Sequence, residues 1–287
     1  MAQALTINAN GLRFDAIAEG PADADLVLML HGFPQFADSW LPLMHVVSAA
    51  GFRAVAVNQR GYSPDARPEE LGEYAIEKLV SDVDAFANAL GGRPFHLVGH
   101  DWGAFVAWIY AAKFPHRLRS LTALSTPHPD ALSHARDTDA DQQQRSQYIT
   151  LFRMSDGAAE RVLLADNGAM LRRAFQGKLS EKSVRKNVGK MSKPGALTAA
   201  LNWYRALKPG RQVGKVTVPT LYVWGSDDLA LGRTAALDTA NYVDGPYRFE
   251  ELQGKSHWLL EEVPGEVAGL VLQHLHRSAP RPRHSSG

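Results

Sequence analysis

The feature that most constrains the fold is a regular alternation of short apolar runs with longer amphipathic stretches. Runs rich in Leu and β-branched residues predict buried strands, because parallel strands are covered on both faces and lose the polar alternation. In the first half of the chain these runs fall at residues 26–30, 53–57, 95–98 and 118–124. Helical periodicity occupies the intervals between them, at residues 40–50, 75–90 and 102–113. The alternation predicts an α/β fold with a mostly parallel, twisted sheet flanked by helices.

The alternation stops near Ser125 and returns near Thr220. The stretch between them is polar and helical where it is periodic, so we predict a helical cap, or lid, over the carboxyl ends of the strands, where open α/β sheets bind ligands. Further strand and helix patterns follow at residues 220–224, 234–242, 247–252 and 263–274. An antiparallel pair is expected at the sheet edge, from residues 4–8 and 13–19. The predicted division is a core of residues 1–126 and 217–277, a cap of residues 127–216 and a disordered tail of residues 278–287.

Composition excludes several classes of function. The 31 Lys and Arg residues balance 30 Asp and Glu residues, whereas nucleic acids and anionic membranes bind clustered excess positive charge. Apolar stretches stay far below the roughly 20 residues of a membrane span, and the first residues do not resemble a secretory signal. The absence of cysteine excludes disulfides and thiolate chemistry. We therefore expect a cytoplasmic protein with no cofactor, no metal, no nucleic-acid partner and no membrane partner.

The most informative stretch is Gly99-His100-Asp101-Trp102-Gly103, between a predicted strand and a predicted helix. Glycines on either side of Asp101 permit a tight strand-to-helix turn that directs the central side chain out of the sheet. A carboxylate at a helix N-terminus stays ionised, because the free N–H groups and the helix dipole favour its charge. Asp is also a common helix N-cap, but an N-cap does not require glycines on both sides. We predict that Asp101 is a nucleophile that attacks carbon.

An ester formed on Asp101 needs a base that activates water and an acid that orients this base. Asp228 and its neighbour Asp227 follow the predicted strand at residues 220–224, and His257 follows the next strand. All of them fall at the carboxyl edge of the sheet, in the order nucleophile, acid, base that α/β-hydrolases use. We predict His257 as the general base and Asp228 as the orienting acid, with Asp227 as the rival. Each residue taken alone also has an ordinary structural interpretation. A histidine in a loop is usually a surface residue, and a pair of aspartates after a strand is often only a helix cap.

The loop after residues 26–30 is expected to supply an oxyanion hole. Backbone N–H groups of Phe33 and Trp102 fall where two fixed donors are needed for the negative charge that develops during ester hydrolysis. Gly32 allows close approach of the backbone, and Pro34 stiffens the turn. We interpret His31 as a hydrogen-bonded structural residue rather than as a second base.

Taken together, these motifs resemble those of the α/β-hydrolase-fold epoxide hydrolases, over about residues 26–275. The motifs that carry the resemblance are HGFPQ at 31–35, QRGYS at 59–63, GHDWGA at 99–104, STPHP at 125–129, LNWYR at 201–205, WGSDD at 224–228 and KSHW at 255–258. The combination of GHDWG and NWYR is the most specific. The resemblance implies hydrolysis of an epoxide to a vicinal diol through a covalent aspartyl ester, with a small-molecule epoxide and water as the partners.

The resemblance also implies that lid tyrosines donate hydrogen bonds to the epoxide oxygen. Tyr204 matches the NWYR motif. The family usually carries a second tyrosine where this chain has Leu151, and Tyr148 lies one helical turn earlier on the same face. Tyr148 is therefore a candidate second donor, with a packing role as the alternative. The substrate pocket is expected to include His31, Pro34, Trp102, Leu151 and Trp258.

Two other functions fit parts of this pattern. A haloalkane or haloacid dehalogenase would use the same Asp, His and Asp, and Trp102 is suited to cradle a halide. However, such enzymes usually place another halide donor at the position of Phe33, or an Arg at the position of Trp102, and the NWYR context of Tyr204 favours epoxides. A non-catalytic small-molecule binder on the same scaffold would bind ligand without turnover. A second copy of the same chain, in a homodimer, is a further candidate partner.

Overall fold

A computed structural model describes residues 1–208, 210 and 212–278. Its described part contains one eight-stranded sheet in the order β1-β2-β4-β3-β5-β6-β7-β8. The strands are β1 (Gln3–Ala9), β2 (Leu12–Glu19), β3 (Leu26–Leu30), β4 (Arg53–Val57), β5 (Phe95–His100), β6 (Leu118–Leu124), β7 (Thr220–Gly225) and β8 (Tyr247–Leu252). The first two strands pair antiparallel at the edge, β2 runs antiparallel to β4, and the remaining neighbours are parallel. The predicted α/β class and the predicted strands are confirmed.

Side chains alternate between two hydrophobic layers, one on each face of the sheet. On β3, Leu28 and Leu30 join one buried cluster, whereas Val27 and Met29 join the other. This alternation follows from the two-residue period of a strand. Because both faces are covered, nearly every central-strand residue is buried, and this explains why the sequence shows continuous apolar runs there.

Apart from one short helix at Leu259–Glu262, which was not predicted, the helices that cover the sheet lie close to their predicted positions. They are α1 (Leu41–Ala49), α2 (Ile76–Ala89), α3 (Trp102–Lys113), α10 (Arg233–Asp238), α11 (Leu259–Glu262) and α12 (Pro264–Ser278). The predicted helix at 234–242 is divided, because α10 ends at Asp238 and a 3-10 turn follows. The predicted tail begins one residue too early, since Ser278 ends α12, and its other residues, 279–287, lie outside the described part.

Between β6 and β7 the described chain contains helices and no strand. These helices are α4 (Pro129–Thr138), α5 (Ala140–Arg145), α6 (Tyr148–Phe152), α7 (Ala158–Ala174), α8 (Glu181–Met191) and α9 (Ala196–Ala206). The helical segment is tied to the sheet by specific bonds, such as the one that the Trp203 indole donates to the Arg60 carbonyl at 2.9 Å. The division of the chain into core and cap, and the homodimer, stay predictions.

None of the helices in the described ranges has the length and apolar character that crossing a membrane requires.

Candidate active site

Asp101 occupies the sharp turn between β5 and α3. Its backbone has φ 52° and ψ −120°, a conformation that is strained for a residue with a side chain. The turn closes only because glycines surround it. A Cβ on Gly103 would lie 2.0 Å from the Leu30 carbonyl oxygen, and one on Gly32 would lie 2.2 Å from the Cβ of Asp101. The strained turn leaves the Asp101 side chain 16% exposed, at the wall of a cavity.

Two backbone donors converge on the carboxylate of Asp101. The N–H of Phe33 donates to Oδ1 at 2.8 Å, and the N–H of Trp102 also donates to this side chain. Burial acts to raise the pKa of Asp101. However, the hydrogen bond and charge of His257, together with the Trp102 N–H, outweigh it and hold the pKa below its usual range. The carboxylate is therefore ionised at neutral pH, and the two donors predicted for an oxyanion hole face it.

His257 lies between two carboxylates. Its Nε2 is 3.3 Å from Oδ2 of Asp101, and its Nδ1 donates to Oδ2 of Asp228 at 2.7 Å. The Asp228 side chain is 0% exposed, and its other oxygen accepts the N–H groups of Ala230 and Leu231 at 2.8 and 3.1 Å. Asp227, the rival, is exposed. The structure therefore places Asp228, and not its neighbour, against the imidazole.

The charge of His257 follows from this position. Burial alone would lower its pKa, but the charges and hydrogen bonds of Asp228 and Asp101 raise it to about 10. Two further groups hold the His257 backbone, since Nε2 of His100 and Oγ of Ser125 each donate to its carbonyl oxygen at 2.9 Å. Sequence reasoning assigned no role to either group. The available signals were their positions, at the end of β5 and directly after β6.

Tyr204 and Tyr148 lie on the helical segment and line the cavity with Asp101. The Tyr204 ring meets the Trp102 ring edge-on at 4.9 Å and the Tyr148 ring at 6.4 Å. Tyr204 is 5% exposed, whereas Tyr148 is 36% exposed. Burial raises the pKa of both phenols above the usual value, and the nearby Asp101 charge adds to the effect. Both phenols are therefore neutral hydrogen-bond donors at neutral pH.

The Trp102 side chain is hydrogen-bonded to the hydroxyl of Tyr204. An indole N–H is a donor only, so the Tyr204 oxygen accepts this bond. The O–H of Tyr204 is therefore left to donate to a molecule in the cavity.

The cavity measures about 770 Å³ and is bounded by the sheet edge and the helical segment. Of the five residues expected to line the pocket, Trp102 does so, whereas His31, Pro34, Leu151 and Trp258 are not part of its lining. Leu151 is turned instead toward the hydrophobic core. The expectation that these four residues line the pocket is therefore wrong. A position at a strand end or on a lid helix does not reveal which side of the backbone faces the cavity.

The other three residues are held by the scaffold. His31 accepts the Gln59 N–H at 3.3 Å, and its own carbonyl accepts the Gln59 amide at 2.7 Å. Trp258 donates from its indole to the Ala174 carbonyl at 3.0 Å. Pro34 is buried next to Phe33. Each contributes to the position of the loops around Asp101 without facing the cavity.

Comparison with known proteins places this chain in a family. A model of the α/β-hydrolase fold family matches residues 25–264. Epoxide hydrolase 3 of Xenopus tropicalis is 33% identical over 277 residues, which span 93% of this chain and 75% of the relative. The chain belongs to the epoxide hydrolase family of the α/β-hydrolase fold. Two bacterial relatives match over 94% of this chain and 96% of their own lengths: the AB hydrolase superfamily protein YfhM of Bacillus subtilis, 32% identical, and epoxide hydrolase A of Mycobacterium tuberculosis, 29% identical.

Solved structures of the same family superpose closely on this epoxide hydrolase family member. A variant of an epoxide hydrolase from Bacillus megaterium, in complex with its naphthyloxy-propanediol product, gives a TM-score of 0.87. It is 27% identical and covers 95% of this chain and 100% of that one. Epoxide hydrolase VrEH1 from Vigna radiata gives 0.83 at 27% identity, over 96% and 98% of the two chains. The agreement over nearly the full length includes the helical segment between β6 and β7.

Within the described ranges, no group of three or more His, Asp or Glu side chains is arranged to hold a metal ion.

Proposed function

We propose that this protein hydrolyses an epoxide to a vicinal diol through a covalent ester on Asp101. The observation that carries the proposal is an ionised carboxylate and two neutral phenols that line one cavity, with an imidazole 3.3 Å from the carboxylate. The epoxide hydrolase names of the relatives support the same reaction. A carboxylate nucleophile opposite a proton donor is what ring opening of an epoxide requires.

In the first step a carboxylate oxygen of Asp101 attacks a ring carbon. The ring C–O bond breaks, its electron pair stays on the oxygen, and this oxygen takes the proton of Tyr204, with Tyr148 as a second donor. The fixed N–H group of Phe33 holds Oδ1 in place, so Oδ2 is the oxygen positioned to form the ester. The tyrosinate then recovers its proton from the His257 imidazolium through solvent.

The loss of a proton by His257 follows from the same electrostatics. While Asp101 is ionised, two carboxylates stabilise the imidazolium. The ester removes one of these charges, and the pKa of His257 falls accordingly. The neutral imidazole then takes a proton from water, and the resulting hydroxide attacks the ester carbonyl. The oxyanion is stabilised by Phe33 and Trp102 N–H groups. Its collapse breaks the ester C–O bond, and the departing alkoxide takes the proton of the new Asp101 carboxylic acid, which releases the diol and leaves Asp101 ionised.

The oxygen source tests the covalent step. One turnover in heavy-oxygen water, with enzyme in excess, is expected to label the Asp101 peptide and leave the diol unlabelled. The Asp101→Ala variant, with intact folding verified by circular dichroism, is expected to lose turnover by at least about 10⁴-fold. Label in the diol with none in the Asp101 peptide would exclude the covalent mechanism.

The choice of substrate class is tested with the tyrosines. Tyr204→Phe is expected to lower kcat on epoxides by about 10²-fold or more, because general acid assistance is lost. Tyr148→Phe is expected to have a smaller effect, because the Tyr148 side chain is more exposed than that of Tyr204. A panel of aliphatic and aromatic epoxides beside chloroalkanes, bromoalkanes and fluoroacetate, followed by diol and halide release, compares the proposed reaction with dehalogenation. If halide is released, no diol forms and Tyr204→Phe leaves the halide release unchanged, the result would favour a dehalogenase. Ligand binding without any turnover would favour a non-catalytic binder.

We also propose that residues 127–216 act as the cap of this site. The helical segment supplies Tyr204 from α9 and Tyr148 from α6, while the sheet supplies Asp101 and His257. A cavity formed between the two parts keeps bulk water away from the reacting carbon.

A further inference from the structure

Arg136 on α4 is a cation in the wall of the catalytic cavity that has no carboxylate partner among the described residues. Its Nε donates to Oγ of Ser146 at 3.2 Å, and this is its one hydrogen bond in the described part of the chain. The side chain is half-buried and lines the cavity together with Asp101, Tyr148 and Tyr204. Its two terminal nitrogens therefore have N–H groups available to a molecule in the cavity.

Two other arginines of this fold, Arg60 and Arg205, have the carboxylate partner that Arg136 lacks among the described residues. Arg60 donates to both carboxylate oxygens of Asp82, at 2.7 and 2.8 Å. Arg205 donates to both oxygens of Glu160 at 3.0 Å. These pairs follow the rule that a charge removed from water needs a partner. For Arg136, burial lowers the pKa below its usual value, and the nearby Arg153 charge adds to the decrease. An anion beside Arg136 would offset this unfavourable electrostatic environment.

The two tyrosines are close to both Arg136 and the nucleophile. Tyr148 and Tyr204 each interact electrostatically with Asp101 and with Arg136, and all four residues line the same cavity. A substrate with its ring carbon at Asp101 and its ring oxygen at the tyrosines therefore directs a further substituent toward Arg136. The other charged lining residues are exposed at the rim, where water screens them: Glu77, Asp137, Arg153 and Lys208.

We propose that Arg136 is a specificity-determining residue that binds a carboxylate on the epoxide substrate, a few bonds away from the ring. The two terminal nitrogens of a guanidinium match the two oxygens of a carboxylate in a planar, bidentate arrangement. This inference rests on the proposed epoxide hydrolysis, because it places the ring at Asp101 and Tyr204.

The test compares two substrates that differ in this one group, hexanoic acid with a terminal epoxide and its methyl ester. For the wild-type protein, kcat/KM is expected to be about tenfold higher or more on the acid. Arg136→Met is expected to lower kcat/KM on the acid by about 10- to 100-fold, mainly through KM, and to change the value on the ester by less than about threefold. Arg136→Lys keeps the charge without the planar fork, so an intermediate value is expected.

Arg185→Met is the matched control, because it removes one exposed positive charge from α8, outside the cavity lining. It is expected to leave both substrates unchanged and so separates a local contact from an effect of net charge. Equal kcat/KM on the acid and the ester in the wild-type protein would overturn the inference. An equal loss on both substrates in Arg136→Met would also overturn it, since a purely structural role predicts that result.

Binding provides a readout that does not depend on turnover. Calorimetric titration with the dihydroxy acid, the expected product, should give a Kd at least about tenfold weaker in Arg136→Met than in the wild-type protein, with Arg185→Met unaffected. If neither epoxide is hydrolysed, the panel of epoxides and halogenated substrates tests the proposed function separately, and the titration still decides whether Arg136 binds the carboxylate. If Arg136→Met does not fold, as judged by circular dichroism and Tm, the same comparison is made with Arg136→Lys. Equal binding of the dihydroxy acid and of its methyl ester by Arg136→Lys would count against the inference.

Discussion

Two histidines at the carboxyl edge of the sheet are both buried, and yet their imidazoles differ in charge at neutral pH. His31 directly follows β3, and burial lowers its pKa to about 4. His257 follows β8, and the flanking carboxylates raise its pKa to about 10. At neutral pH the first imidazole is neutral and the second is a cation. The comparison shows that burial does not decide the charge of an imidazole by itself.

The difference lies in what faces each ring. His31 hydrogen-bonds to backbone groups of Gly32 and Gln59, and the Tyr62 ring meets it edge-on at 4.4 Å. The charges that act on His31 partly cancel, since Asp38 and Asp101 raise its pKa and Lys190 lowers it. His257 has a carboxylate at each ring nitrogen. A reactive imidazole therefore requires a charged partner whose charge the reaction can remove, and His257 has such a partner in Asp101.

The largest expected effect is that of removing the imidazole of His257. His257→Gln should lower steady-state turnover by about 10⁴-fold or more, because water at the ester is no longer activated. The ester on Asp101 should accumulate, and intact-protein mass spectrometry should detect a mass increase equal to that of the substrate. If no adduct forms with any substrate that the wild-type protein turns over, His257 is not the hydrolytic base.

Removing the inner carboxylate should make His257 resemble His31. Asp228→Asn is expected to lower kcat by about 10³- to 10⁴-fold, because the imidazole loses its orientation and the stabilisation of its charge. Asp227→Asn is the matched control, since Asp227 is exposed, and it should stay within about twofold of the wild-type rate. Comparable losses of kcat in the two variants would contradict the assignment of Asp228, rather than Asp227, as the partner of His257.

The charge of His257 can be measured directly by NMR titration of labelled imidazoles. In Asp101→Ala the pKa of His257 should fall by more than one unit from about 10, whereas that of His31 should stay near 4. Because the folded-state pKa of His257 is raised, its contribution to stability is present below pH about 6.5 and is lost as the pH rises through about 10. An unchanged pKa of His257 in Asp101→Ala would contradict the proposed role of the Asp101 charge.

The smallest effect is expected at His31. His31→Gln should change turnover by less than about threefold, because the side chain supports the loop and does not face the cavity. The folded-state pKa of His31 is lowered, so wild-type stability from this group is lost as the pH falls from about 6.5 toward 4. Between pH 7.5 and pH 5 the loss should be about 2 kcal/mol, and it should be absent from the variant in urea unfolding experiments. A variant with the wild-type pH dependence would show that His31 is not buried as a neutral ring.

Much of the fold could be predicted from local patterns. The run at Leu26–Leu30 and the helix at Trp102–Lys113 have the predicted bounds, because continuous burial and helical periodicity leave a local record in the sequence. The helix predicted over 234–242 is divided, since Thr239 donates from its side chain to the Ala235 carbonyl at the point where α10 ends. A hydrogen bond from a side chain to a backbone carbonyl can end a helix without changing the apolar periodicity of the sequence, so the pattern does not reveal it.

The candidate site was predictable to the extent that it depends on turns. Asp101 and the loop at Phe33 have glycines that the close packing of backbones demands, and these glycines are visible in the sequence. The pocket lining was not predictable, because His31 and Trp258 follow strands in the same way as true site residues do. Arg136 had no signal in the sequence, since its distinguishing property is that no carboxylate of the described part of the chain pairs with it.

The sequence by itself determined the layered α/β architecture, the strained turn that presents Asp101 and the order of the three candidate catalytic residues. These depend on neighbours along the chain, through apolar period and backbone crowding. Only the tertiary structure decided that Asp228 is buried against His257 while Asp227 is exposed, that His257 is a cation while His31 is neutral, and that Arg136 faces the cavity without a carboxylate partner among the described residues. Charge and solvation at a point depend on groups that are far apart in the chain, and no local pattern of residues records their distances.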